Sequence, residues 1–500
     1  MSRSLIGIDV GTTALKAAAF DVKSGRMLAS SSIRLPVETG ADGRREQSPA
    51  ALLGAMRRAL KAVGQTMGGL KGVCGVGVAA QGGSMIIADR ASGRALTPMT
   101  LWNDSRALPE FRRLLEVRTP HFWRKFSMRD EPGMGLARLI RLQRTMDGLF
   151  RDSNIYAGAG EFLYFHLTEQ WRQDCGNAAQ IGCYDAWSNK LIAEPAAIAG
   201  APLSFFAPLR PGHQTQPLSE VAARKLGLVA GIPVAGPYMD HEAGYMSCER
   251  DAVRPLQCSL GTAWVGNFVV PVSSTARSPF QIVVPSPIGS GRLIVQPLLT
   301  GNVTWEWALK CFVDRSERRA LEKQRAVFDE SLLPTDGLVA MPWLNRPNPI
   351  RPDVVGGACF VGCGPLTTPA DLFRAVAAGM CYELARVFEL VKVRSEIDCV
   401  ILGGGASKGQ HFRQLIAALF APLPVFQIEG EEWMGARGCL RVFGKAVSLA
   451  RTKRIAISNR TDIQSIRQGY EMYGLAWKTL YGNVPAGKAI RFDSHRRYSQ

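Results

Sequence analysis

The chain has 500 residues, more than a single hydrophobic core usually serves, so two domains of about 200 to 250 residues each are expected. Hydrophobic residues make up 46% and charged residues 20%, which excludes a disordered chain, and no window offers the ~18 uninterrupted apolar residues of a membrane span. Lys and Arg number 60 against 42 Asp and Glu, a formal charge of +18, yet the basic residues stand at helical spacing without aromatic interleaving. A basic solvated surface is expected, with no nucleic acid and no membrane partner.

The N-terminus lacks a signal-peptide core, so the cytoplasm is the default compartment. The 11 cysteines form no CxxC pair and read as buried small hydrophobes. In chain order, residues 4–20 read as strand, turn, strand, with Gly11-Thr12-Thr13 as the polar tip of a hairpin. A third strand covers 27–35, Ser48-Pro49 opens a helix to about Val63, and the apolar run 73–80 is a buried strand. Residues 232–235 form a short strand, Gly236-Pro237 a turn, and Asp240 starts a small-residue helix. Residues 257–270 repeat the first vocabulary, strand, Gly261-Thr262, strand, so the fold is duplicated. The expected division is an N-terminal domain over 1–250, a C-terminal domain over 251–480 and a basic tail over 481–500. A helix over 369–391, a strand over 399–402, the Gly403-Gly404-Gly405 turn and a helix over 409–419 lie in the second domain.

Phosphoryl transfer requires donors around the phosphates, a carboxylate for magnesium and a base for the attacking hydroxyl, and the sequence offers each. Asp9 ends a buried strand at the mouth of a cleft, where an unpaired carboxylate is costly unless it meets a cation. Gly11, Thr12 and Thr13 offer close backbone approach, hydroxyls and N–H groups, and Lys16 follows on the second strand. An ordinary hairpin turn is the alternative. Gly261-Thr262 repeats the device, and Gly404, Gly405 and Ala406 lie in a strand-to-helix turn that suits a ligand or packing alone. Neither a Walker A loop nor a dinucleotide fingerprint occurs, which argues against an NAD-dependent dehydrogenase. Asp240 could cap its helix or accept a proton, and His241 and Glu242 could orient a substrate or face solvent. Trp102, Asn103, Asp104 and Arg106 suit a polyol, or form a surface loop with an ion pair.

Taken together these residues resemble the FGGY family of carbohydrate kinases, within the actin, hexokinase and Hsp70 ATPase superfamily. The ordered set is Gly7-Ile8-Asp9-Val10-Gly11-Thr12-Thr13, Glu46-Gln47, Gln81, the segment 98–106, Leu167-Thr168, Asp240 with Ala243, Ser259-Leu260-Gly261-Thr262 and the triple glycine, over roughly residues 4–450. The resemblance implies an α/β fold of two ribonuclease-H-like (actin-like ATPase) domains with the catalytic cleft between them. It implies ATP-dependent phosphorylation of a ketose such as a pentulose or hexulose, or of a sugar alcohol. Asp240 would be the base, Asp9 would organise Mg2+, and Thr12, Thr13 and Thr262 would contact phosphate. Gly404 and Gly405 would border adenosine, and Gln81, Trp102 and Asp104 would stand near the sugar.

Two departures bear on substrate. Gly82-Gly83 replaces a bulky or charged pair, which predicts room for a larger substrate, and Tyr238 before Asp240-His241 is expected to narrow the site. The rival readings are a sensing member of the fold without turnover and an Hsp70-like module, and a homodimer is the assembly considered. Retention of Asp9 and Asp240 argues against the first, and the lack of an appended peptide-binding domain against the second.

Overall fold

In a computed structural model the chain is described over residues 3–127, 131–248, 253–261, 263–273, 281–298, 300–313, 317–335, 337–344, 358–391, 393, 396–459 and 461–482. Thr262 and nearly all of the expected basic tail lie outside the described residues. Two sheets built on one plan dominate. The first contains β1 (Ser4–Val10), β2 (Ala14–Asp21), β3 (Met27–Arg34), β4 (Val73–Ala80), β5 (Gln216–Pro217) and β6 (Pro233–Met239), in the order β5-β6-β4-β1-β2-β3. The second contains β7 (Pro255–Leu260), β8 (Trp264–Val270), β9 (Ile282–Pro285), β10 (Arg292–Pro297), β11 (Cys399–Gly403), β12 (Val425–Ile428) and β13 (Thr452–Arg454), in the order β9-β10-β8-β7-β11-β12-β13.

The correspondence is strand by strand. β1 pairs antiparallel with β2 and parallel with β4, and β4 pairs parallel with β6. β7 likewise pairs antiparallel with β8 and parallel with β11, and β11 pairs parallel with β12. The repeated strand-Gly-Thr-strand motif is thus the first hairpin of each half. β1 and β4 are nearly continuous apolar runs because both of their faces are covered. On one side lies helix Pro49–Met67, which runs a turn beyond the expected Val63 to a left-handed Gly68. Its buried Leu52, Met56, Ala59 and Val63 recur at helical spacing, and Ser48 caps its start. In the second half, helix Pro369–Leu390 is buried along most of its length beneath the sheet, its first turn closed by Thr368 and Asp371.

β6 departs from expectation. It does not end at Ala235 but continues to Met239, and Gly236-Pro237 lies inside it as an irregularity where pairing with β4 shifts register. Gly236 has φ +100°, and a Cβ there would stand 2.3 Å from the Val78 carbonyl oxygen, so glycine permits the close approach. Cysteine burial is also uneven: Cys311 and Cys363 are exposed, contrary to the expected burial.

The halves meet through a short helix, Met434–Gly438, seated against β1 and helix Asp240–Met246. Glycines allow this contact. A Cβ on Gly7 would lie 1.5 Å from the Ala436 oxygen, and one on Gly438 would lie 1.7 Å from the Ala243 oxygen. Both obstacles are backbone and cannot rotate away. Gly7→Ala is therefore expected to destabilise the protein by roughly 3 kcal/mol or more, read as a lowered denaturant midpoint, and an unchanged midpoint would refute the packing argument.

Candidate active site

The carboxyl ends of the three parallel strands β1, β4 and β6 are level, because Val10 pairs with Ala80 and Ala80 with Met239. Asp9, Gln81 and Asp240 stand at those ends, the edge at which open α/β sheets bind ligands. Asp9 has its Oδ1 sealed from solvent without a hydrogen-bond partner. Burial first, and then the charge of nearby Asp240, push its carboxyl up to about 7, against an opposing pull from Lys16. Gly435 of the second half abuts the same carboxyl group: a Cβ there would lie 2.5 Å from Asp9 Oδ2. Asp240 opens its helix and accepts the His241 N–H at 2.9 Å through Oδ1.

The hairpin tip is tied to the wall beside it. Thr12 donates its hydroxyl to Gln81 Oε1 at 3.0 Å and accepts the Trp102 indole N–H at 3.2 Å, while Gln47 donates to the Thr12 carbonyl at 2.7 Å. The Thr12 hydroxyl, expected from the resemblance to contact phosphate, is engaged with Gln81 and Trp102. Gly11 closes the turn by donating to the Ala14 carbonyl, and Thr13 is exposed at the tip. Lys16 reaches across to the second half and donates to the Glu432 carbonyl at 2.9 Å.

Asp104 is buried rather than displayed. Its oxygens accept from Arg106 and from the Arg45 N–H, and Arg106 also pairs with Glu46. Burial works to raise the Asp104 carboxyl, but these donors hold it below the usual carboxylate range. Trp102 stays 42% exposed, with an open indole face. Gly82 and Gly83 do not leave a void. Cβ atoms built there would lie 3.1 Å from Met239 Sδ and 3.2 Å from Trp102 Cβ, and the Gln180 side chain covers both positions. Tyr238 does not narrow the cleft either: it is buried against Gly212, packed with Ala79 and Ala235. Glu242 is wholly buried, contrary to a solvent-facing or substrate-facing role. It accepts the Met239 N–H at 2.9 Å and lies with Asp174 and Cys175 in one cluster, their ligand atoms within 4.8 Å of one another. Burial and the neighbouring Asp174 push its carboxyl well above the usual range. That cluster braces the start of the Asp240 helix.

Sequence reasoning missed Arg138. This buried guanidinium on helix Met134–Gln143 donates to the carbonyls of Gly83, Leu101 (2.7 Å) and Trp102 (2.8 Å), tying the two loops together. The signal was present, an arginine within the apolar face between Ala137 and Leu139. Behind Gln81 a polar cavity of about 10 Å³, lined by Ser84, Tyr156, Glu161, Gln173 and Asn177, has room for one water. Burial pushes the Glu161 carboxyl there up to about 7.

On the second half, Gly261 accepts the Asn302 N–H at 3.1 Å, and Gly404, with φ +86°, passes so close to β7 that a Cβ would lie 2.7 Å from the Leu260 carbonyl carbon. Gly405 and Ala406 open a cavity of about 790 Å³, within the range of small-molecule sites. Trp305, Phe328, His411 and Phe412 line it, Phe328 and His411 stacked at 4.0 Å between ring centroids. Burial lowers His411 to about 3, so the ring is neutral at physiological pH.

Two duplicated sheets, each with a hairpin turned to a shared cleft, define an actin-like ATPase fold. The descriptions "FGGY family of carbohydrate kinases, N-terminal domain" and "C-terminal domain" match residues 4–247 and 258–440, and the chain belongs to that family. It is 25% identical over 465 residues to a xylulose kinase of Klebsiella pneumoniae, covering 91% of each chain. It is 29% identical over 245 residues to an erythritol kinase of Brucella abortus, covering 47% of this chain and 46% of that one. A crystal structure of xylulose kinase from Rhodospirillum rubrum superposes with a TM-score of 0.82 at 19% identity, over 96% of this chain and 99% of that one. Among the described residues no helix is long and apolar enough to cross a membrane.

Proposed function

We propose that the protein transfers the γ-phosphoryl group of ATP to a hydroxyl of a ketose or sugar alcohol, with Asp240 as general base. The observation that carries this reading is that Asp9, Gln81 and Asp240 gather at the carboxyl ends of three adjacent parallel strands, while the second half holds a cavity beside Gly405 and Ala406. The named relatives, a xylulose kinase and an erythritol kinase, support both substrate classes.

The substrate lies against Gln81, Trp102 and His241, its apolar face on the exposed indole. Asp240 accepts the proton of the attacking hydroxyl as that oxygen bonds to the γ-phosphorus, and the bond from phosphorus to the β–γ bridging oxygen breaks to release ADP. Thr13, Thr262 and the N–H groups around Gly11 and Gly261 hold phosphate oxygens from the two hairpins, and Lys16 stands beside them. Gly404, Gly405 and Ala406 border the adenosine, with Trp305 and Phe328 offering flat faces. Asp9, whose sealed and unpartnered oxygen suits a cation, would hold Mg2+ through water, and the ion would neutralise phosphate charge.

A coupled ADP-release screen over pentuloses, hexuloses, tetritols, pentitols and glycerol tests the reading. At least one compound is expected to raise ADP release at least tenfold over the basal rate, on the order of even a modest kinase turnover. A flat screen with folded protein would overturn it.

A further inference from the structure

The wall of the cleft at Gly82 and Gly83 is completed by a residue far away in sequence. A Cβ on Gly82 would stand 3.3 Å from Gln180 Cγ, and one on Gly83 would stand 3.5 Å from Gln180 Oε1, so the Gln180 side chain lies across both glycines. Its neighbours are Trp102 on one side and Met239, which immediately precedes Asp240, on the other. The amide is half-buried, and its only side-chain contact among the described hydrogen bonds is a weak one from Nε2 to Met239 Sδ at 3.8 Å. A strong donor and a strong acceptor are thus left open between the indole and the strand end that carries Asp240. The carbonyls of Gly83 and Trp102 are locked by Arg138, so the amide is presented on a rigid floor.

The charges nearby select among ligands. Arg138 donates to three carbonyls and Lys16 to that of Glu432, so both keep their charge, whereas Arg106 is paired with Asp104 and Glu46. The carboxylates Asp9 and Asp240 face the same cleft, so a sugar acid would meet their repulsion there, offset in part by Lys16.

We infer that Gln180 is a specificity-determining substrate contact, its amide exchanging hydrogen bonds with a hydroxyl of an uncharged polyhydroxy substrate beside Trp102 and the strand end that carries Asp240. The inference rests on the kinase reading above and names the substrate class for it. It also reverses the expectation of a larger substrate, since Gln180 occupies the space.

The test compares wild type, Gln180→Ala and Gln180→Asn, first confirmed to share one melting temperature, on neutral ketoses and alditols with gluconate as the charged comparison. Gln180→Ala is expected to raise KM for the best neutral substrate about tenfold while kcat changes by less than about threefold, with Gln180→Asn intermediate. Among monodeoxy analogues of that substrate, one should lose about tenfold in kcat/KM with wild type and no more than about twofold with Gln180→Ala. An unchanged KM with an unchanged deoxy profile, or a wild-type preference for gluconate, overturns the inference. If wild type turns over no compound, the kinase reading fails by itself, and calorimetric binding of the same panel without ATP decides on Gln180. Tighter binding by wild type than by Gln180→Ala then sustains the contact; equal affinities, or no binding by either, overturn it.

Discussion

Asp240→Asn is expected to lower kcat by about 10²- to 10⁴-fold, the range spanned by removal of a positioned general base, with KM for the sugar changed by less than about threefold. The change is nearly isosteric. The Asn oxygen can still accept the His241 N–H that Asp240 accepts at 2.9 Å, so the first turn of helix Asp240–Met246 keeps that hydrogen bond and the fold should hold. Glu242 and Asp174, which brace the same turn from beneath, are untouched. What is lost is the basic oxygen that takes the substrate proton. The loss should therefore fall on kcat, at an unchanged melting temperature, in an assay of ADP release with saturating ATP. Full turnover by the variant would remove Asp240 from the mechanism, and a lowered melting temperature would move the effect to folding.

The backbone plan was legible because it rests on local patterns. Continuous apolar runs marked β1 and β4, Gly-Thr tips marked the two hairpins, and their recurrence marked the duplication. Side-chain direction was legible only where the strand was regular. β6 runs on through the irregularity at Gly236-Pro237, where its register shifts, and Tyr238, expected beyond a turn to narrow the site, lies within the strand and is buried against Gly212. A Gly-Pro pair reads as a turn, and only pairing with both neighbouring strands shows it to be carried inside one. The remaining surprises are long-range. Gln180 reaches Gly82 and Met239, and Arg138 reaches Leu101, through loops whose course no local propensity dictates. Glu242 was expected to orient a substrate or face solvent, and here it is buried in the cluster with Asp174 and Cys175.

Asp9→Asn is expected to abolish magnesium-dependent turnover and, at the same time, to stabilise the metal-free protein above neutral pH. The two effects share one cause. Burial, and then the Asp240 charge, raise the Asp9 carboxyl from 3.8 to about 7, so the folded state favours the protonated form. The sign follows from proton linkage. Below pH 3.8 the group is protonated whether folded or unfolded and costs nothing; as pH rises toward 7 the unfolded chain releases the proton first, and stability is lost until both states are ionised. Above pH 7 the accumulated cost reaches up to about 4 kcal/mol, at 1.36 kcal/mol for each unit of displacement. Asn carries no such charge, so the metal-free variant should melt several degrees higher than wild type at pH 8, and the difference should shrink toward zero at pH 4. Added magnesium should raise the wild-type melting temperature at pH 8 and leave that of Asp9→Asn unchanged, because only the carboxylate gives the ion a charged partner. Equal magnesium shifts in the two proteins would place the cation elsewhere. A variant less stable than wild type at pH 8 would show instead that Asp9 is satisfied in the folded state, and that its sealed oxygen is not held in reserve for a cation.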